Sequence, residues 1–541
     1  MRNRWLSLLL CGVLFLSVLT GCQNNKTEED IANEAKEAAR STVTLTMWLV
    51  TEKETTPEAV SLVEEAVNKI LKSKYKTRVE LSVFTEDEYY ASLDAKLAAI
   101  EDFMDSDDYV DPEDDEAETT VAETTRNEWG IAEDKYPSVR GDQLDIIFLS
   151  GSDNYFKYSD ELGILERLDD SLKAGAKKLN SYIDPAFFKA LSSLGGTYAI
   201  PNRHVIGEYA YLLTNRELVD KYFYDPDNLT TLAQCAEFID EMAEKEPDYT
   251  PIKQLDYPLY TTYWSTDGQR SLIGSVGNAS MAESTYLSMR NLLTYSRYTD
   301  QLKTVMQYKE KGYIAEDPDA VDKFAAAVIK GGAELESIYG EDYYMNVLQA
   351  PMASEADLFE AMFAVTMYTR NLDRCMEVLT LLNTDPDFRN LLQYGIEGVN
   401  YELDEEDGSL RRLNHDYMMD IVKTGNVFIA YPEEGQSPEI REFEKTQNLA
   451  VVISPFNGFT FYDTDLDYEL MDRLAVLSKE YFERLDACTT LEELETFLAE
   501  ANTELSSNPD IKKATSTGED GSPNAIYTDW YYVKYPPIDE G

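Results

Sequence analysis

The chain changes its rhythm of apolar and polar positions several times. In VTLTMWLV, residues 43–50, Val43, Leu45, Met47 and Leu49 alternate with Thr44, Thr46 and Trp48, the period of a strand with one strongly apolar face. Thr56 then reads as a helix N-cap with Pro57 at the first helical position, and Val60, Val63, Val67, Ile70 and Leu71 recur at helical spacing. RVELSVF at 78–84 predicts a second strand, and 86–104 a second helix. LDIIFLS at 144–150 is a continuous apolar run of the kind found in central parallel strands. This alternation predicts the start of a doubly wound α/β sheet, whose ligands bind beyond the carboxyl ends of the strands. That rule points to Trp48 and Glu52 after the first strand, and to GSDNY, 151–155, after the third. The second half reads as mostly helical, with YPLYTTYW (257–264) and NVFIAYP (426–432) expected as strands. In NLDRCMEVLTLL, 371–382, Leu372, Met376, Leu379 and Leu382 form one helical stripe, a core pattern. A turn around Pro386 and a helix carrying Leu391 and Leu392 follow.

The amino terminus has a different pattern. Arg2 and Arg4 precede an apolar run from Trp5 to Leu19, followed by Thr20, Gly21 and Cys22. That is the shape of a signal peptide, and the run is too short to span a bilayer comfortably. LTGC at 19–22 resembles the lipobox of bacterial lipoproteins, in which the cysteine thiol takes a diacylglycerol before cleavage leaves it as the first mature residue. Residues 1–21 are therefore expected to be removed and Cys22 to be the lipidation site, with 22–42 a polar, Ala-rich tether. Acyl methylenes contribute roughly 0.8 kcal/mol each, so two chains would hold a soluble body at the membrane surface. The expected location is the outer face of the cytoplasmic membrane of a Gram-positive bacterium, with the lipid as the sole membrane contact.

Length and charge narrow the classes. The 541 residues suit two or three domains with a cleft between units. Against 48 Lys and Arg stand 102 Asp and Glu, a formal net charge of −54, so the mean field opposes nucleic acid as a partner. The five cysteines, at 11, 22, 235, 375 and 488, form no CxxC pair, and His204 and His415 are the whole histidine complement. A histidine-built metal site or a catalytic triad has little material here, and no cofactor is expected. Asp463, Asp465 and Asp467 resemble a calcium loop only in part, because Tyr468 and Leu474 stand where its Gly and bidentate Glu belong. The 18 residues 101–118 carry eleven acids and no base, and read as a solvated charge run. The 37 Tyr, 20 Phe and 5 Trp matter more, because sugar rings offer apolar CH faces to aromatic planes and hydroxyls to Asp, Asn, Glu and Gln.

FEAMFAVTMYTRNLDRCMEVLTLLNTDPDFRNLLQYGIEGVNY, 359–401, is similar to the family-1 extracellular solute-binding proteins of ABC importers, most of all to the lipoprotein subgroup associated with complex carbohydrates. TLTMW (44–48), DIIFLSGSDNYFKYSDELGILERLDD (145–170), TYAIPN (197–202), LLTNRELVDKY (212–222), YKEKGYIAED (308–317) and GNVFIAYPEEG (425–435) extend the resemblance in order along the chain. It implies a periplasmic-binding-protein-like α/β fold of two lobes, each a doubly wound sheet flanked by helices, joined by a hinge with several crossings. The lobes are expected at 43–208 plus 350–425 and at 209–349 plus 426–541. It further implies a monomer that captures a carbohydrate by closure and delivers it to a permease powered by a cytoplasmic ATPase, without covalent chemistry. The expected ligand contacts are Trp48, Glu52, Asp153, Tyr155, Asn202, Trp264, Tyr394 and Glu397. Trp48 and Trp264 would stack on sugar from opposite lobes, and Asn202 would sit near the hinge. Tyr394 and Glu397 lie in a YGIEG block whose glycines also suit a purely conformational turn. A membrane-anchored glycoside hydrolase, a binder of non-sugar solutes and a surface interaction protein remain alternatives.

Overall fold

A computed structural model describes residues 40–536 apart from 107–108, 110–123, 127–131, 175, 184, 193–194, 256–260, 266–269, 278–283, 354 and 463. Cys22, the signal segment and most of 101–118 lie outside the described residues. In chain order the strands of the two main sheets are β1 (Val43–Thr51), β2 (Thr77–Thr85), β3 (Ile146–Leu149), β4 (Ala199–Pro201), β5 (Tyr209–Asn215), β6 (Thr250–Leu255), β7 (Phe324–Gly331), β8 (Tyr343–Gln349) and β9 (Met362–Val365).

The first sheet runs β2-β1-β3-β9-β4. Its first three strands are parallel, as the strand–helix alternation requires, while β9 inserts antiparallel between β3 and β4. β1 is buried on both faces, not one. Thr44 and Thr46 tolerate this because Thr44 Oγ1 donates to Pro137 O at 2.6 Å and the Thr46 N–H donates to the buried Asp145 carboxylate at 2.8 Å. The helices α1 (Pro57–Tyr75) and α2 (Glu86–Met104) cover the sheet, α1 with Val63, Val67 and Leu71 buried as its spacing predicts and α2 with Tyr89, Leu93, Leu97 and Ile100 buried. Thr56 Oγ1 caps α1 by accepting from the Ala59 N–H. Helices α3 (Leu372–Thr384) and α4 (Pro386–Tyr394) add Met376, Leu379, Leu382, Phe388 and Leu392 to the same core.

The second sheet, β8-β5-β7-β6, is also mixed. One face packs on Phe238, Ile239 and Met242 of the helix Ala236–Lys245, and the other on Leu335 and Tyr339. A further apolar cluster gathers the helices Tyr468–Asp486, Leu491–Ser507 and Pro523–Lys534 around Leu272, Met289 and Leu293. Asp467, one of the three aspartates with a partial calcium-loop pattern, caps the first of these helices through the Leu470 N–H and pairs with Lys513 at 2.7 Å.

The stretch 426–432 differs from expectation: Val427 and Phe428 are buried in a 3₁₀ turn, Val427–Ile429, not a strand. Side chains do the work of a ladder here. Asn426 Oδ1 accepts from the Phe428 N–H, Asn390 accepts from the Tyr431 N–H through Oδ1 and donates to Ile429 O through Nδ2, and Arg441 donates to Ala430 O and Tyr431 O. Burial needed apolar residues, and strand pairing was not the means. The segment expected as a strand over 257–264 is described only from 261, as the strand Thr261–Ser265.

The chain passes between the two sheets at 202–208 and again at 350–361, and a third segment, 447–454, lies against both. These three segments are hydrogen-bonded into one strap. Asn448 Oδ1 accepts from the Ile206 N–H at 3.0 Å while its Nδ2 donates to His204 O at 2.9 Å. Gln447 Nε2 donates to Gly207 O at 2.7 Å, the Val452 N–H donates to Pro351 O at 2.8 Å, and Met352–Ala353 pairs in parallel with Val452–Ile453. Gly207, at φ +57°, lets the first crossing touch the second: a Cβ there would lie 2.9 Å from Met352 O.

Candidate functional site

The register of β9 decides what stands at the carboxyl edge of the first sheet. Met362 pairs with Leu149 on one side and Pro201 on the other, so residues 359–361 lie level with the ends of β3 and β4. The Gly151 N–H donates to Phe359 O at 2.8 Å, and the Asn202 N–H to Ala361 O at 2.9 Å. Gly151, at φ +84°, turns the chain from β3 into the short helix Ser152–Phe156. At the end of β1, the Glu52 N–H donates to Met418 O at 3.0 Å, which brings the 416–424 loop onto the same rim.

The edge therefore collects Glu52, Asp153, Asn202 and Glu360 beside the first crossing. Glu52 and Asp153 are exposed. Asn202 is fully buried, its Nδ2 donating to Val422 O at 2.8 Å. The neighbouring His204 is buried too, its Nδ1 3.1 Å from Asn202 O and its Nε2 3.1 Å from Glu360 Oε2. Glu360 itself is half exposed. The adjacent His204 imidazole holds its carboxyl below the usual range against the opposing effect of burial, with the Lys423 charge adding to the shift. Lys423 donates to Glu86 Oε2 at 2.9 Å.

The aromatic residues expected at the site are distributed differently. Trp48 is only 7% exposed, stacked on Phe84 with centroids 4.7 Å apart and edge-on to Tyr89 at 6.4 Å. Phe84 is the partly exposed outer ring of that pair. Tyr155 is fully buried and donates to Leu191 O. Trp264 lies on the strand Thr261–Ser265, where its backbone pairs with Ser275; its side chain is outside the described set. Tyr394 and Glu397 lie away from the rim. Tyr394 is buried with Tyr401, Leu410 and Ala430 and donates to Tyr431 O at 3.2 Å, and Glu397 is exposed on the turn between Gly395 and Gly398. At Gly395, φ is +84° and a Cβ would meet Asn400 Oδ1 at 2.4 Å, so this glycine shapes the backbone.

Sequence reading missed Glu360, the tie between His204 and that carboxylate, Phe84 and Lys423. His204 was visible as one of two histidines, two residues after Asn202; its partner was not, because only the insertion of β9 beside β4 brings 360 to 204.

Chemically, the rim offers hydrogen-bond acceptors and an aromatic ring. Burial pushes the Cys235 thiol up to about 12 and holds Cys375 well above the ordinary thiol range, so both are unreactive core residues. Among the described residues no group of three His, Cys, Asp or Glu side chains gathers as a metal site, and no helix is long and apolar enough to cross a membrane.

Known proteins share this architecture. No family model matches the chain. A carbohydrate ABC transporter substrate-binding protein of Streptococcus pneumoniae is 25% identical over 357 residues, covering 61% of this chain and 69% of that one. The crystal structure of an N-glycan transport solute binding protein from Streptococcus pneumoniae superposes with a TM-score of 0.57 at 19% identity, covering 91% of this chain and 98% of that one. An extracellular solute-binding protein from Bifidobacterium longum subsp. infantis gives 0.50 at 15% identity, with coverage of 91% and 98%. The fold is the two-lobed one of extracellular solute-binding proteins.

Proposed function

We propose that this chain, a family-1-type solute-binding protein of an ABC importer, captures an oligosaccharide between its two lobes and hands it to a membrane permease. The observation that carries the reading is the strap of three crossings beside a rim of carboxylates. A strap of this kind flexes as a hinge, and the rim it borders would close on ligand. The lobes are taken as 43–208 plus 350–425 and 209–349 plus 426–541, the first two boundaries falling at that strap. The similarity to a carbohydrate ABC transporter substrate-binding protein of Streptococcus pneumoniae supports the sugar assignment.

Within this reading Glu52 and Asp153 supply polar contacts from the first lobe, Trp264 supplies a stacking plane from the second, and the fully buried Asn202, expected as a contact, instead braces the edge through Val422 O. Trp48 and Tyr155 act as supports, Trp48 by backing the Phe84 ring. Tyr394 and Glu397 shape the 394–401 turn. Capture needs no bond making, so the protein is a binder and not an enzyme. Cys22 carries the lipid, and the mature protein works as a monomer on the outer face of the cytoplasmic membrane.

Isothermal calorimetry and thermal-shift titration with a panel of oligosaccharides test the assignment. Saturable binding with the saccharide recovered intact is the expected result. Binding confined to another solute class, or the appearance of new reducing ends, would overturn it.

A further inference from the structure

The Glu360–His204 pair has features that a general sugar-binding rim does not need. Glu360 is half exposed on the rim, yet one of its oxygens is 3.1 Å from an imidazole nitrogen of a residue that is 1% exposed. The imidazole is fixed in turn: its Nδ1 faces Asn202 O at 3.1 Å, and its ring stands edge-on to Phe187 at 5.4 Å. His204 O is itself held by Asn448 Nδ2 at 2.9 Å, so the pair is built into the strap. The result is a carboxylate oriented from behind by a buried group, with its remaining lone pairs directed toward solvent at the rim.

The charges around it point the same way. The rim carries Glu52, Glu86, Asp87, Asp153 and Glu360. Among the described residues Lys53 pairs with Asp87 at 3.1 Å and Lys423 with Glu86 at 2.9 Å. Arg203, next to His204, lies with its guanidinium over the Phe428 ring at 4.8 Å. Among the described residues Glu52 and Asp153 have no basic partner and Glu360 has the buried His204 beside it, so the rim carries more acid than base.

We infer that Glu360, positioned by His204, is the specificity-determining acceptor of the rim: it takes hydrogen bonds from sugar hydroxyls or amides and turns away saccharides that carry a carboxylate. The inference rests on the capture reading and deepens it by naming the substrate class, neutral oligosaccharides. Glu360 is a contact residue and His204 a positioning residue.

The test titrates the purified protein with neutral chito-, manno- and malto-oligosaccharides and with counterparts bearing one uronic or sialic acid. Wild type is expected to prefer the neutral member by roughly tenfold or more at low salt, the gap narrowing as ionic strength rises. Glu360→Gln keeps the shape and removes the charge. It is expected to weaken the neutral ligand by roughly tenfold and to shrink the discrimination against the acidic one. His204→Gln should weaken the neutral ligand as well, and combining it with Glu360→Gln should cost no more than Glu360→Gln alone. Should His204→Gln fail to fold, Glu360→Gln decides the matter, because its side chain is half exposed. Equal wild-type affinity for neutral and acidic saccharides overturns the inference, as does a Glu360→Gln protein that binds both as wild type does, while the capture reading stands. Absence of binding to every saccharide brings down both.

Discussion

Gly207 provides the sharpest test of the strap. It adopts φ +57°, and a Cβ placed there would sit 2.9 Å from Met352 O and 3.1 Å from Met352 N, both backbone atoms of the second crossing. Gly207→Ala has two costs. The left-handed conformation of a residue with a Cβ costs about 1–2 kcal/mol. The clash cannot be relieved by a rotamer, so Met352 must move. That movement pulls on the Met352–Ala353 pairing with Val452–Ile453 and on the 2.8 Å bond from the Val452 N–H to Pro351 O. Losing one or two such bonds adds about 1–3 kcal/mol, for a total of about 2–5 kcal/mol. Gly163 is the internal control. Its φ is +61°, but the nearest atom to a Cβ is Asp160 O at 4.0 Å, so Gly163→Ala incurs the conformational cost alone, about 1–2 kcal/mol. Urea unfolding of both variants, with calorimetric ligand titration on each, separates the two costs. Gly207→Ala should be the less stable by at least about 1 kcal/mol and should alter affinity, whereas Gly163→Ala should leave affinity unchanged. Equal midpoints and equal affinities for the two variants would refute the claim that 202–208 and 350–361 are packed against each other.

Other consequences are checked separately. Leu379→Ala, at a fully buried position on α3, should cost about 2–5 kcal/mol in chemical denaturation without changing the ligand selected. Trp48→Ala should lower the melting temperature as a core deletion does, about 3–5 kcal/mol; if stability were unchanged while affinity fell, Trp48 would be a direct contact and not the support of Phe84. Asp385 caps α4 through the Phe388 N–H. Burial raises its pKa, but Lys74 and the backbone donors outweigh that and hold it below the ordinary value. Its contribution to stability is therefore present above the unfolded-state pKa of about 3.9 and is lost as pH falls through the lower folded value. Asp385→Asn should flatten the acid limb of the urea midpoint between about pH 5 and pH 3, and an unaltered limb would contradict the assignment.

The opening βαβαβ run was legible because its elements carry their own signals: the buried run at 146–149, the cap at Thr56 with Pro57, and the 3.6-residue stripe on α1. The stripe on α3 was legible for the same reason. The position of β9 was not, because AMFAV announces a buried strand but not its neighbours, and pairing with β3 and β4 is set by long-range packing. The stretch 426–432 was read as a strand because burial and pairing usually coincide; here Asn390, Asn426 and Arg441 satisfy the backbone instead. The carboxyl-end rule pointed to the sheet edge where Glu52 and Asp153 stand exposed. It could not distinguish Trp48 in the core from a ring at the surface, since both faces of β1 are covered. Glu360 gave no signal of its own among so many acids.

Small-angle X-ray scattering of the purified protein, recorded with and without a saturating oligosaccharide, tests the central claim most directly. The account predicts a smaller radius of gyration with sugar, as the strap bends and the lobes close over the rim. A scattering profile unchanged by a saccharide that calorimetry shows to be bound would contradict closure at the strap.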